Sequence, residues 1–190
     1  MKIIDNTKEL NTLCKELSKK EFVTIDLEFL RDKTYYAKLC LIQIASIDDA
    51  AIIDPLAKDI NLTSFFKLLQ NKKVVKVFHS CRQDIEILYN LTDNIPEPVF
   101  DTQIAAMVCG FGESISYENL VIRILGKSLD KTSRLSDWSH RPLSQAQLQY
   151  ALSDVTHLVN IYQALKDKLV ESGRIKWLDE ENEVLRDLKT

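Results

Sequence analysis

The stretch Phe22-Val-Thr-Ile-Asp-Leu-Glu-Phe29 decides the reading of the fold. Val, Ile and Phe dominate it, so Glu21 to Phe29 reads as a buried strand. Two carboxylates interrupt the apolar run, and because side chains alternate across a strand, Asp26 and Glu28 project from the same face. Carboxylates in such a place are costly unless they are paired or hold a cation. The interruption therefore marks a candidate site inside a sheet.

Before this strand, Thr7 to Lys20 places Leu10, Leu13, Cys14 and Leu17 at helical spacing. After it, Tyr35 to Ala45 and Ala50 to Ile53, the latter stopped by Asp54-Pro55, predict two more strands. Their closeness in sequence predicts an antiparallel meander. Thr63 to Gln70 reads as a helix crossing to a fourth strand, Val74 to Phe78, followed by a helix from about Arg82 to Leu91. Pro96 and Pro98 mark a turn before a short strand at Val99-Phe100. The remainder is helical: Thr102 to Val108, Tyr117 to Leu125, Ser144 to Leu169 with a capping box at Ser144 and Gln147, and Ile175 to Leu188. Strands first, then strand and helix alternating, then helices alone predict an α/β protein: a mixed sheet with helices on both faces.

A chain of 190 residues is long enough for one domain with a core and too short to expect two, so residues 1–190 are read as a single domain. No segment approaches the apolar length of a membrane span, and no apolar run follows a basic start, so a cytoplasmic protein is expected. Cys14, Cys40, Cys81 and Cys109 form no CxxC pair, which reads as free thiols and not as a zinc or disulfide framework. A net charge of −3 argues against coating nucleic acid by bulk electrostatics. It leaves room for an enzyme that grips a strand end, because divalent ions reverse the sign of a carboxylate pocket.

Two more acids join the first pair. Asp84, in His79-Ser-Cys-Arg-Gln-Asp84, lies at the start of a helix, where the dipole alone also accounts for a carboxylate. Asp154 follows Tyr150 in Tyr150-Ala-Leu-Ser-Asp154, an i, i+4 pair that points both side chains the same way. Among Leu148, Leu152, Val155 and Leu158, Tyr150 also reads as a packed aromatic. Asp101 before Thr102 reads as a helix N-cap. Mg²⁺ and Mn²⁺ prefer hard oxygen ligands, so four such acids can hold two ions, which points to metal-assisted phosphodiester hydrolysis. Phe29 and Leu30 are candidates to wedge against a terminal base or to pack in the core. His79 either touches the site or packs, and Trp138 carries the alternatives of Phe29, a wedge against the base or core packing. Lys131, Arg134, His140 and Arg141 give the irregular segment from Lys127 to Pro142 local positive charge, either for phosphates or as a solvated face.

The order of these motifs adds a second line of inference. The run from Phe22 to Phe29, then Thr34-Tyr-Tyr36, Leu41-Ile-Gln-Ile44, His79 with Asp84, Phe100-Asp-Thr-Gln-Ile-Ala-Ala106, Leu129-Asp-Lys131, Asp137-Trp138, Arg141-Pro-Leu143 and Tyr150 with Asp154 resembles ribonuclease D. That family belongs to the DEDD superfamily of 3′-to-5′ exonucleases, in the branch with a tyrosine in its third motif. The resemblance covers about residues 20 to 165 and implies a ribonuclease H-like mixed sheet. It implies that Asp26, Glu28, Asp84 and Asp154 bind two metal ions and that Tyr150 positions the attacking water. It places Asp26 between the metals, Glu28 and Asp154 on the ion that activates water, and Asp84 in support of the other. The implied activity is trimming of single-stranded RNA 3′ ends to nucleoside 5′-monophosphates, in RNA 3′-end processing with tRNA as the candidate class. A DNA exonuclease of the same superfamily and a catalytically silent nucleic-acid-binding module are the alternatives. Longer members continue into helical nucleic-acid-binding domains, whereas this sequence stops shortly after the nuclease stretch.

Overall fold

A computed structural model describes residues 2–31, 35–130, 133, 136–178 and 181. Its strands are β1 (Lys2–Ile4), β2 (Phe22–Leu30), β3 (Lys38–Ala45), β4 (Ala50–Ile53), β5 (Val75–Phe78) and β6 (Val99–Asp101). They form one six-stranded sheet in the order β1-β4-β3-β2-β5-β6. β2, β3 and β4 make the expected antiparallel meander. β1 pairs with β4, β5 with β2, and β6 with β5, all in parallel. β2 thus lies inside the sheet where antiparallel and parallel pairing meet.

The helices are α1 (Thr7–Leu17), α2 (Thr63–Leu69), α3 (Arg82–Thr92), α4 (Thr102–Val108), α5 (Tyr117–Leu125) and α6 (Gln145–Glu171). They divide over the two faces as the alternation in β2 requires. Val23, Ile25 and Leu27 pack with Leu10, Leu17, Phe65, Ile85 and Leu88 of α1, α2 and α3. On the opposite face Phe22 packs with Val155, Leu158 and Tyr162 of α6, and the Thr24 hydroxyl donates to the Val155 carbonyl at 2.9 Å. Asp26 and Glu28 continue that second face, so the sequence of β2 aims them at α6.

Several boundaries differ from expectation. β1 went unread because three residues carry too little pattern to reveal a strand. The strand expected from Tyr35 begins at Lys38, because Lys38 pairs with Leu30, the last residue of β2. Tyr35 and Tyr36 are left exposed, at 87% and 59%. The anticipated Ser144 capping box is present: its hydroxyl accepts from Gln147 N, and the Gln147 side chain accepts from Ser144 N. Of the helix expected from Ile175 to Leu188, residues 175–178 and 181 are helical and the others lie outside the described residues. The described residues of the segment from Lys127 to Pro142 hold no helix or strand. No helix among the described residues is long and apolar enough to cross a membrane.

Candidate active site

β2 and α6 bring three carboxylates together. One oxygen each of Asp26, Glu28 and Asp154 lies within 4.8 Å of the others. They open into a cavity of about 270 Å³ lined also by Leu27, His79, Tyr117, Tyr150 and Leu158. Three like charges at such separation repel strongly unless a cation or protons neutralise them. The oxygen-only donor set is the kind that Mg²⁺ or Mn²⁺ prefers.

Asp84 enters from α3 and stands apart from that trio. It is buried, and burial followed by the charge of Asp26 pushes its carboxyl well above the usual carboxylate range. Burial also raises Asp26, to about 7, against a smaller opposing hydrogen bond from the Leu27 backbone. The charge of Asp26 therefore acts on Asp84. Both shifts describe a pocket that resists holding uncompensated negative charge, which is the condition a bound cation relieves.

Tyr150 lies one helical turn before Asp154, as i, i+4 geometry requires. Burial, then the charges of Asp154, Glu28 and Asp26, push its phenol far up, so the hydroxyl stays protonated and able to donate. Its ring lies 6.1 Å from that of Trp138, which is buried among Cys40, Leu41, Ile52, Leu148 and Ala151. Of the two readings open for Trp138, the structure selects packing.

The turn between β5 and α3 positions both His79 and Asp84. Ser80 has a positive φ of 55°, uncommon for a residue with a side chain. Asp101 holds it there: its two carboxylate oxygens accept from Ser80 N at 2.9 Å and Cys81 N at 2.8 Å. The same carboxylate accepts from Gln103 N at 2.7 Å and so caps α4. Asp101 does more than the expected cap, since it ties the His79–Asp84 turn to β6. His79 Nδ1 lies 3.0 Å from the Thr102 hydroxyl, and burial holds the imidazole below its ordinary pKa.

The expected substrate contacts are scattered. His79 lines the cavity, whereas Phe29 packs against the α1–α3 side and Leu30 against the Trp138 cluster. A bulge between Glu28 and Phe29 in the pairing with β3 separates these two residues from the acids. His140 is exposed. Lys131 and Arg134 lie outside the described residues. Arg141 corrects the sequence reading. A guanidinium has five N–H donors, and here Nε and Nη2 grip Asp54 at 2.7 and 2.8 Å while the others reach the carbonyls of Cys40, Trp138 and His140 at 2.8 Å each. With every donor engaged, Arg141 fastens the Trp138 loop to β3 and β4 and has none left for a phosphate.

Tyr117 was missed by the sequence reading. Its hydroxyl donates to the Asp154 backbone carbonyl, and its ring lies 5.3 Å from that of His79. It follows the Ser116 cap that opens α5, and a tyrosine at a helix start carries no local signal of a site 37 residues further on.

A family model described as 3′-5′ exonuclease matches residues 1–170. The chain belongs to the 3′-5′ exonuclease family. Among curated relatives of the chain, ribonuclease D of Bartonella henselae is 53% identical over 190 residues, all of this chain and 47% of that protein. Ribonuclease D of Nitrobacter hamburgensis is 50% identical over 190 residues, covering 50% of that protein. The chain spans about half the length of the curated relatives it matches. Among solved structures, Escherichia coli RNase D, an exoribonuclease involved in structured RNA processing, superposes with a TM-score of 0.93 at 31% identity, over 97% of this chain and 49% of that one. Brucella melitensis NrnC bound to pGG gives 0.81 at 29% identity, over 97% and 90%. The mixed sheet flanked by helices is the ribonuclease H-like fold of these exonucleases.

Proposed function

We propose that this chain is a metal-dependent 3′-to-5′ exoribonuclease that acts on single-stranded RNA 3′ ends in the cytoplasm and releases nucleoside 5′-monophosphates during RNA 3′-end processing. The observation that carries the reading is the convergence of Asp26, Glu28 and Asp154 within 4.8 Å beside Tyr150. Family membership and ribonuclease D relatives at about half identity support it. Four free cysteines accord with a reducing compartment.

Asp26, Glu28 and Asp154, with Asp84 behind Asp26, would hold two divalent ions, Mg²⁺ or Mn²⁺. Bound there, the ions supply Lewis-acid stabilisation of charge on phosphate oxygens and a lowered pKa for water. The chain's own groups do the rest. Tyr150, kept protonated by its burial and then by its acidic neighbours, orients the attacking water by a hydrogen bond and does not serve as base. Tyr117 holds the Asp154 turn of α6 through its backbone carbonyl, and the Trp138 loop supports the Tyr150 ring. His79 faces the terminal nucleotide from the cavity wall. His140, with Lys131 and Arg134 of the same segment, contributes positive charge for the phosphates.

Incubation with end-labelled RNA and DNA of matched sequence tests the proposal. Faster release of 5′-monophosphates from RNA supports it. Equal or greater activity on DNA replaces it with the DNA exonuclease, and binding without turnover in Mg²⁺ or Mn²⁺ replaces it with a silent binding module.

A further inference from the structure

Gln43 sits in the middle of β3, directly opposite Asp26 of β2. Directly opposed residues of an antiparallel pair project from the same face with Cβ atoms about 5 Å apart. That face is the one α6 covers. Leu41 packs with Leu148 and Ala151, and Ala45 packs with Val155. Gln43 lies between Leu41 and Ala45 on the same side, so it is enclosed between the sheet and the turn of α6 that carries Tyr150 and Asp154.

The residue is 0% exposed, and neither Nε2 nor Oε1 has a hydrogen-bond partner. A leucine or methionine would fill the same space without burying an unpaired amide, and such burial is unfavourable. Its cross-strand neighbour on the other flank is Ile52 of β4, which offers no polar side chain. On the near flank stands Asp26. An amide carries two N–H donors, and an ionised carboxylate only accepts, so the chemistry of the pair is complementary.

We propose that Gln43 is a positioning residue for the acidic site: its Nε2 donates to the charged Asp26 carboxylate across one ordered water and fixes which oxygen faces the bound cation. Groups that orient metal ligands in this way typically change metal affinity or activity 10- to 100-fold when removed. The inference rests on the proposed reading of Asp26 as a cation ligand and concerns metal binding, independent of which nucleic acid is cut.

Calorimetric titration with Mn²⁺ alone, without nucleic acid, tests it on the wild-type chain, Asp26→Asn and Gln43→Met. Methionine keeps an unbranched chain of similar length and removes both amide groups. Gln43→Met should bind Mn²⁺ about 10- to 100-fold more weakly, with a metal-free melting temperature equal to or above wild type. Affinity within twofold of wild type would overturn the proposal. If Asp26→Asn also binds Mn²⁺ normally, the acidic-site reading fails first. If Asp26→Asn loses binding while Gln43→Met does not, the Gln43 assignment alone fails. A second measurement needs no variant at residue 43. In the wild-type protein the Gln43 side-chain amide resonances should shift during a Mg²⁺ titration with the midpoint of the site, and resonances that stay fixed would overturn the assignment.

Discussion

Replacing Asp26 with asparagine should raise the stability of the metal-free protein at pH 8 while abolishing hydrolysis. Burial lifts the Asp26 carboxyl to about 7 from an ordinary value of 3.8. A folded-state pKa above the unfolded one means that the folded chain holds the extra proton between those values. Its contribution is then fully present below pH 3.8 and lost as pH rises through about 7. A gap of about three pH units sets an upper bound of about 4 kcal/mol. Asp26 keeps some solvent exposure, so screening reduces the expected cost to about 1–2 kcal/mol. For a domain of this size that corresponds to about 2–8 °C in melting temperature. The Asn variant should escape this loss, and Asp84, relieved of a neighbouring charge, should ionise more readily. Thermal unfolding in a chelator from pH 5 to pH 8.5 measures the effect. Adding Mg²⁺ or Mn²⁺ at pH 8 should stabilise wild type, by about 2.7 kcal/mol at a concentration 100 times the dissociation constant, and leave Asp26→Asn nearly unmoved. Superimposable pH profiles for the two proteins, or equal stabilisation by metal, would refute the reasoning.

Tyr150→Phe should slow single-turnover cleavage about 100-fold, the order that misplacing a reacting group costs, with little change in RNA affinity, because the ring still packs near Trp138 and only the hydroxyl is lost; an unchanged rate would reduce Tyr150 to a packed aromatic. Arg141→Ala should lower stability by about 3 kcal/mol and leave the salt dependence of RNA binding intact, since its donors serve Asp54 and three carbonyls. A flatter salt slope would return it to the phosphates. Ser144→Ala should cost about 1 kcal/mol through loss of the α6 cap, read by denaturant unfolding.

The acidic pair was legible because strand alternation puts Asp26 and Glu28 on one face whatever surrounds them, and the Tyr150–Asp154 pair because helical spacing does the same. Which two faces meet is a tertiary fact, and the convergence on Asp154 was reached through resemblance. Arg141 misled because a formal charge in a loop says nothing of the carbonyls that will occupy it. Gln43 lies within Leu41-Ile-Gln-Ile44, where one amide in an apolar strand carries no local signal of a site. Its burial and its place opposite Asp26 depend on strand register, which local composition does not specify. Asp101 was half read: the cap was visible from Thr102, while its hold on Ser80 and Cys81 needed β5 and β6 side by side.

The central claim is that the acids of β2, α3 and α6 hydrolyse a strand from its 3′ end. The most direct measurement follows a 5′-labelled linear RNA and a circular RNA of the same sequence in Mg²⁺ or Mn²⁺, with Asp154→Asn as control. The account predicts a ladder shortening one nucleotide at a time from the linear strand, an intact circle, and no products with the control. Efficient cleavage of the circle, or a ladder that persists in Asp154→Asn, would contradict it.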